Sequence, residues 1–265
     1  MSLRLLRPLL TLAGLLLLWE AAVYLFALPP YILPPPHRVL PILVDRAGLL
    51  AAHAAVTVTE MLLGLLFGAL LGAAAALGLL LSIAARRWLL PLIVASQAVP
   101  VFALAPLLVL WFGYGMASKI VMALLIIFFP VAMTLYDGLR RTETGWLDLA
   151  RVMTGDAPRH RLRILLRIRL MAALPAFASG LKVAAAVAPI GAVIGEWVGA
   201  SAGLGFLMLQ ANARVQTDLM FAALIVLAAC AVALYALVDL LSRRLLPWQA
   251  DTHAEPLSDR PETTR

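Results

Sequence analysis

Between Arg87 and Lys119 the chain runs for 31 residues without a formal charge, and that stretch alone selects the solvent in which it folds. A helix of this length in water would carry charge along its exposed face. A bilayer core ~30 Å thick, by contrast, asks for roughly 20 consecutive apolar residues at ~1.5 Å per residue. Apolar stretches recur at residues 8–28, 61–83, 120–136, 172–195 and 219–241, with few charges, among them Glu20 and Lys182. Hydrophobic residues make up 63% of the chain and charged ones 13%, an excess that a soluble core cannot absorb. With a span at 88–112, kinked by Pro91, Pro100 and Pro106, the reading is an all-α integral membrane protein of about six transmembrane helices. Residues 1–248 form the transmembrane domain, and the polar 249–265 tail is expected to be disordered.

The net charge of +7 could point to a nucleic-acid partner, but the basic residues lie between the apolar runs instead of forming one stripe. With the N-terminus inside, 16 of the 21 Lys and Arg residues fall in the cytoplasm. Arg38, Arg46, Lys119 and Arg214 fall outside, with Lys119 marking the outer end of the fourth span, and Lys182 lies in a span. This bias sets both termini in the cytoplasm and excludes nucleic acid as the reason for the charge.

The first run follows Arg4 and Arg7 and resembles both a signal peptide and a spanning helix. Its apolar stretch continues past Glu20 and meets prolines, which favours the helix. Residues 29–36 hold too many prolines to be helical throughout and read as a non-cytoplasmic loop. Gly64, Gly68 and Gly72 recur every four residues, one helix face along which another backbone can approach closely. Cys230 lies inside an apolar run and, as the single cysteine, forms no intramolecular disulfide. His37, His53, His160 and His253 are scattered and read as surface or interface residues.

No G-x-x-x-x-G-K-[ST] loop, HExxH helix or G-x-S-x-G elbow occurs, so ATP hydrolysis and the common hydrolytic constellations are not expected of this chain. Residues 137–171 are the long polar stretch between spans. In it Asp148-Leu149-Ala150 precedes Gly155, and an arginine-rich segment ends at Ile168-Arg169-Leu170-Met171. Gly155 permits a sharp reversal between two short helices. Arg159, Arg163 and Arg167 recur every four residues and would form one charged stripe, suited to a protein partner or to anionic headgroups.

This loop resembles that of the binding-protein-dependent ABC transporter permeases, whose pattern is Glu-Ala-Ala, three residues, Gly, nine residues, Ile-x-Leu-Pro. The likeness extends to Gln97-Ala98-Val99-Pro100 and to the Gly195–Gly205 segment, which begins Gly195-Glu196-Trp197 and ends Gly203-Leu204-Gly205. Asp148 stands for Glu, Met171 for Pro, and four and twelve residues separate the landmarks, a loop longer by about one helical turn. The resemblance implies the type I ABC importer permease fold in a bacterial inner membrane. It also implies a homodimer, two ATP-binding subunits docked on the loop through Asp148, Ala150, Gly155, Arg159, Arg163 and Arg167, and an extracytoplasmic substrate-binding protein. No cofactor is implied in this chain, since ATP and Mg would be bound by the partner ATPase.

Ionisable residues at membrane depth cost roughly 2.5–3.5 kcal/mol on insertion scales, so each requires a reason. Lys182 either snorkels to the cytoplasmic interface or faces the pathway. Glu20 and Glu60 are interfacial or paired, and Glu196 serves gating or a structural hydrogen bond. Pro189 and Gly191 free backbone carbonyls near the middle of their helix, which at depth points to protein or a water-filled path. With Gln97, Pro100 and Glu196 they are the candidate pathway residues. Segments 102–130, 136–141 and 195–222 resemble permeases for thiamine pyrimidine precursors of the hydroxymethylpyrimidine type. Alkanesulfonate, taurine, nitrate and riboflavin permeases of the same family are the alternatives. An ATP-independent secondary transporter is the competing class, for which paired intramembrane carboxylates or an internal repeat of spans would speak.

Overall fold

The computed structural model describes residues 3–154, 162 and 164–248. Gly155, Arg159 and Arg163 of the loop, and the 249–265 tail, lie outside the described residues. Among those described there is no β-strand, and the helices in chain order are α1 (Leu3–Leu25), α2 (Pro36–Asp45), α3 (Ala47–Leu81), α4 (Ile83–Ser96) and α5 (Val101–Phe112). Then follow α6 (Met116–Arg140), α7 (Thr144–Thr154), α8 (Leu170–Gly199, entered through a π-helical turn at Leu165–Arg169), α9 (Leu204–Ala213) and α10 (Thr217–Leu245).

Four stretches are long and apolar enough to cross a membrane among the described residues: α3, α6, α8 with its entering turn, and α10. The pair α4 and α5 makes a fifth if taken as one span, and α1 contributes a shorter apolar helix at Leu10–Leu25.

Several boundaries differ from those read in the sequence. α3 begins at Ala47 instead of 61 because the helix continues through polar residues that find partners elsewhere in the fold; its 35 residues reach about 50 Å. α6 covers Met116–Arg140, longer at both ends than 120–136. The proline-rich segment opens directly into α2, with Pro36 in the first turn where its missing N–H costs nothing.

The expected third span is not one kinked helix: α4 and α5 meet at 101°. The break falls at Pro100 and not at Pro91 or Pro106, which sit inside their helices. The N–H groups of Gln97, Ala98 and Val99 each bond three residues back, tightening the end of α4. Pro100, with ψ 118°, then has no N–H to continue the ladder.

Helix α6 is the hub. Along one side, Gly64, Gly68 and Gly72 of α3 face Ala123, Ile127 and Val131, numbers rising together, so the two helices run parallel. Along the other, Gly138 meets Ala173 and Ala176 of α8, Thr134 meets Gly180, Ala123 meets Gly191 and Lys119 meets Gly195; here the order reverses and the helices are antiparallel. In lipid no hydrophobic force brings apolar helices together, so close backbone packing at small residues supplies the attraction. A cluster of Met61, Ile127, Val131, Ala184, Ala188, Leu234 and Val238 joins α3, α6, α8 and α10. At the far end Val39, Leu50, Leu204, Leu207 and Ala222 tie α2, the start of α3, α9 and α10 together. The arginine-rich end of the bundle carries Arg86, Arg140, α7 and Arg243; α2 and α9 form the opposite end.

Candidate functional site

At the arginine-rich end, α6 runs out to Arg140, whose guanidinium lies 5.4 Å from the ring centre of buried Tyr136. After a short turn α7 begins, and its sequence splits into two faces. Leu147 and Ala150 are turned inward, while Trp146, Leu149, Val152 and Met153 are exposed, Val152 to 85%. Asp148 is exposed and pairs with Arg151 at 2.9 Å. Trp146 donates its indole N–H to Glu143 at 2.8 Å, which fixes the ring on the outside. The chain re-enters the bundle through the π turn, where the N–H of Leu170 reaches back to the carbonyl of Leu165 and Arg167 is exposed. Such wide turns are rare and concentrate at functional places. Of the loop residues read from the sequence, Asp148, Ala150 and Arg167 are therefore placed, on α7 and on the π turn.

The candidate pathway residues are not gathered on one surface. Pro189 and Gly191 are buried, and Gly191 lies so close to Ala123 of α6 that an added Cβ would stand 2.6 Å from its Cα. Gln97 and Pro100 are exposed at the α4–α5 break. Glu196 is buried at the end of α8, where it builds the turn into α9.

In that turn Glu196 Oε2 accepts the N–H of Gly205 at 2.5 Å and of Phe206 at 3.2 Å. Its Oε1 accepts the hydroxyl of Thr57, at 2.6 Å, from α3. Thr57 Oγ1 in turn accepts the N–H of Leu204 at 2.8 Å, and the N–H of Leu207 bonds the carbonyl of Gly203. The first four N–H groups of α9 are thus all satisfied, and a carboxylate sits where the helix dipole favours negative charge. His53 Nδ1 lies 2.9–3.0 Å from both the carbonyl and the N–H of Gly203. Gly203 adopts φ +121°, and a Cβ there would collide with the Glu196 carboxylate. Two of the four glycines of the Gly195–Gly205 segment are explained by this arrangement, since a Cβ at Gly203 or Gly205 would meet the Glu196 carboxylate, while Gly195 packs on Lys119 and Gly199 on Val109. Of the two roles offered for Glu196, the hydrogen-bonding one is the one on view.

Beside this turn Lys119 Nζ lies 2.5 Å from Glu60 Oε1, with side chains 6% and 0% exposed. Lys119 lies in the first turn of α6, at the end of the span that the sequence reading gave it, and points inward to Glu60 of α3. The Glu196 carboxylate is the next charge to Glu60, so two carboxylates and one ammonium share the α3–α6–α8 junction. At the other end Lys182 pairs with Asp239 at 2.6 Å, and Asp239 also holds Arg243 at 2.8 Å, a half-exposed triad. Glu20 is bonded to His37 at 2.8 Å.

Sequence reading offered Glu60 as interfacial or paired and His53 as a surface or interface residue, but missed Thr57, the bond of His53 to Gly203 and Lys119 as the partner of Glu60. One signal was present: His53, Thr57 and Glu60 stand at helical spacing and continue the face that carries Gly64, Gly68 and Gly72. A polar stripe that runs into a glycine stripe marks one packed seam.

Residues 64–247 match the family described as binding-protein-dependent transport system inner membrane component. A probable ABC transporter permease protein of Haemophilus influenzae is 55% identical over 93% of this chain and 99% of its own length. The formylaminopyrimidine transport permease protein ThiX of Halalkalibacterium halodurans is 33% identical over 92% of this chain and 96% of its own. The riboflavin transport system permease protein RibX of Chloroflexus aurantiacus is 36% identical over 91% and 89%. With an all-helical membrane bundle and matches that run nearly end to end, the chain belongs to the binding-protein-dependent transport system inner membrane component family, as a multi-pass permease subunit of an ABC importer and not itself an enzyme.

Proposed function

We propose that this permease works as a homodimer around a central pathway, driven by two cytoplasmic ATPase subunits that bind ATP and Mg and dock on the 137–171 loop. The observation that carries this reading is α7, a helix at the arginine-rich end with an exposed face of Trp146, Leu149 and Met153. An apolar face outside the bundle suits a contact with a protein or with lipid, and the family's ATP-driven members supply the protein in this reading. The excess of Lys and Arg at that end supports cytoplasmic termini. An extracytoplasmic binding protein would deliver the solute to the opposite end.

Helix α8 links the two ends. Its 30 residues extend about 45 Å, from the π turn beside the loop to Glu196 and the α9 turn. Displacement of the loop by the ATPases would be carried along this rod to the residues that close the far end. Gly155, Arg159 and Arg163 complete the docking loop in this reading, and the pathway runs past Gln97 and Pro100 when two copies face one another, with Pro189 and Gly191 buried in the helix packing behind it.

The proposed solute is a thiamine pyrimidine precursor of the hydroxymethylpyrimidine type. The ThiX relative supports it, while RibX at similar identity makes a flavin the alternative cargo. The adjacent carboxylates Glu60 and Glu196 are a feature expected of a proton- or ion-coupled carrier. Here both have structural partners, Lys119 for one and the α9 N-terminus for the other, and the ATP-driven reading stands. Reconstitution tests it. Uptake of labelled hydroxymethylpyrimidine into proteoliposomes is expected to need the ATPase, the binding protein and ATP, to stop with vanadate and to ignore an uncoupler over short times. Full-rate uptake by the permease alone would overturn it.

A further inference from the structure

Basic residues are disfavoured at the translocated end of a membrane protein, so each one at the α2–α9 end requires a reason. Lys119 is taken by Glu60, and Arg38 pairs with Asp218 at 3.1 Å. The remaining two, Arg46 and Arg214, have no acidic partner among the described residues. They come from sites far apart in the chain, the start of α3 and the end of α9, yet they line the same cleft of about 530 Å³ together with His53, Gln210 and Gln216. Its one acid, Asp218, is already occupied by Arg38. The cleft therefore presents two uncompensated guanidinium groups beside amide side chains.

A second feature sits on its rim. Helix α9 ends with the N–H of Gln216 reaching back to the carbonyl of Ala211, and Val215 takes the left-handed position at φ +55°. Helix ends of this kind use glycine there, and a β-branched residue in that conformation is an outlier that the surroundings must hold. Val215 nevertheless points outward, 71% exposed. An apolar knob held on strained backbone next to Arg214, in a cleft shared with Arg46, has the make-up of a recognition surface.

We infer that this cleft is the docking site for an acidic side chain of the extracytoplasmic binding protein, with Arg46 and Arg214 gripping its carboxylate and Val215 packing beside it. The inference rests on the importer reading above and assigns it a place. Guanidinium groups favour carboxylates through paired hydrogen bonds in fixed geometry. The floor of the cleft gives docking a consequence: His53 lines it and is bonded to Gly203, the residue wrapped around Glu196 at the end of α8. A carboxylate seated there would bear on the same turn that the coupling loop reaches from the other end.

The test uses the assembled transporter, permease with its ATPase, in nanodiscs of phosphatidylcholine, with purified binding protein as the titrant. Arg46→Glu and Arg214→Glu are each expected to weaken binding roughly tenfold and to flatten its dependence on salt. Arg46→Lys keeps the charge without the paired hydrogen bonds and should bind with an affinity between those of the wild type and Arg46→Glu, and reversing one acidic residue on the binding protein's docking face to arginine should restore binding to Arg214→Glu. Wild-type affinity and salt slope in both charge-reversed variants would overturn the inference, as would a loss that no reversal on the binding protein restores. If the substitutions change only the retention of anionic lipid, the cleft holds headgroups and the inference is likewise overturned. A wild-type complex that recruits no binding protein would instead overturn the importer reading, a failure recognisable because it precedes any substitution.

Discussion

Glu196 Oε2 accepts the backbone N–H of Gly205 at 2.5 Å, and this bond joins the last turn of α8 to the first turn of α9. Glu196→Ala strands the N–H groups of Gly205 and Phe206, while the Thr57 hydroxyl keeps the His53 carbonyl within reach at 3.3 Å. Each unsatisfied donor costs about 1–3 kcal/mol, so a loss of at least ~2 kcal/mol is expected. Glu196→Gln keeps one acceptor oxygen without the charge and should fall between. Unfolding in mixed micelles titrated with dodecyl sulfate, followed by far-UV circular dichroism, measures both.

Gly203 and Gly113 both have positive φ, +121° and +78°, but only Gly203 is enclosed: a Cβ there meets the Glu196 carboxylate, whereas nothing lies within 4 Å of one at Gly113. Gly113→Ala should cost about 1 kcal/mol, the conformational penalty alone. Gly203→Ala should also push Glu196 off the α9 N-terminus and lower stability as much as Glu196→Ala does. Equal effects at the two glycines would show that the carboxylate is not held by the turn.

Removing one member of the Glu60–Lys119 pair leaves a buried charge without compensation, a change that costs about 3–5 kcal/mol. The two substitutions should not be equal. Lys119→Met leaves Glu60 and Glu196 adjacent with no cation, whereas Glu60→Gln leaves Lys119 with Glu196 nearby, so the lysine change is expected to be the worse. The double variant Glu60→Met/Lys119→Met should recover most of the loss, read from the same unfolding titration as a coupling energy.

Gly68 packs against Ile127 so closely that a Cβ would stand 2.6 Å from Cγ2, while one at Gly78, in the same helix, has nothing within 4 Å. Gly68→Ala is expected to destabilise by about 1–3 kcal/mol through overpacking. Gly78→Ala should be neutral or stabilising by up to ~1 kcal/mol, since alanine is the better helix former. Thermal inactivation of ligand-free protein in detergent separates the two.

Leu149 is 56% exposed on α7. Leu149→Asp should leave the stability of the isolated permease within about 0.5 kcal/mol and abolish co-purification with the ATPase. Retained co-purification would move the docking surface away from this face.

What the sequence made legible was whatever depends on neighbours along the chain. Uncharged runs located the spans, and the four-residue spacing of Gly64, Gly68 and Gly72 identified a packing face, although not that α6 would fill it. Pro100 was read as a kink, because the geometry after a lost hydrogen bond is set by whatever packs against each half; the result is a 101° break. Lys119 was read as a boundary marker because in sequence it borders an apolar run. Its partner Glu60 lies on another helix, and local pattern carries no record of such a pairing. The same holds for Thr57 and His53, whose partners Leu204 and Gly203 are 147 and 150 residues away.

The glycine seam between α3 and α6 repeats every four residues, pairing 64 with 123, 68 with 127 and 72 with 131. A ladder of identical rungs is ambiguous: slipped by one helical turn, Ile127 would still find a glycine at Gly64 or Gly72. Glu60 and Lys119 extend the same numbering by one step, 60 with 119, and they are the rung that is unlike the rest. After a slip the ammonium would face Val56 or Gly64, with the carboxylate abandoned in a dry seam. The ion pair thus acts as the key of the bundle, admitting one alignment of two helices that shape alone would let mate in several.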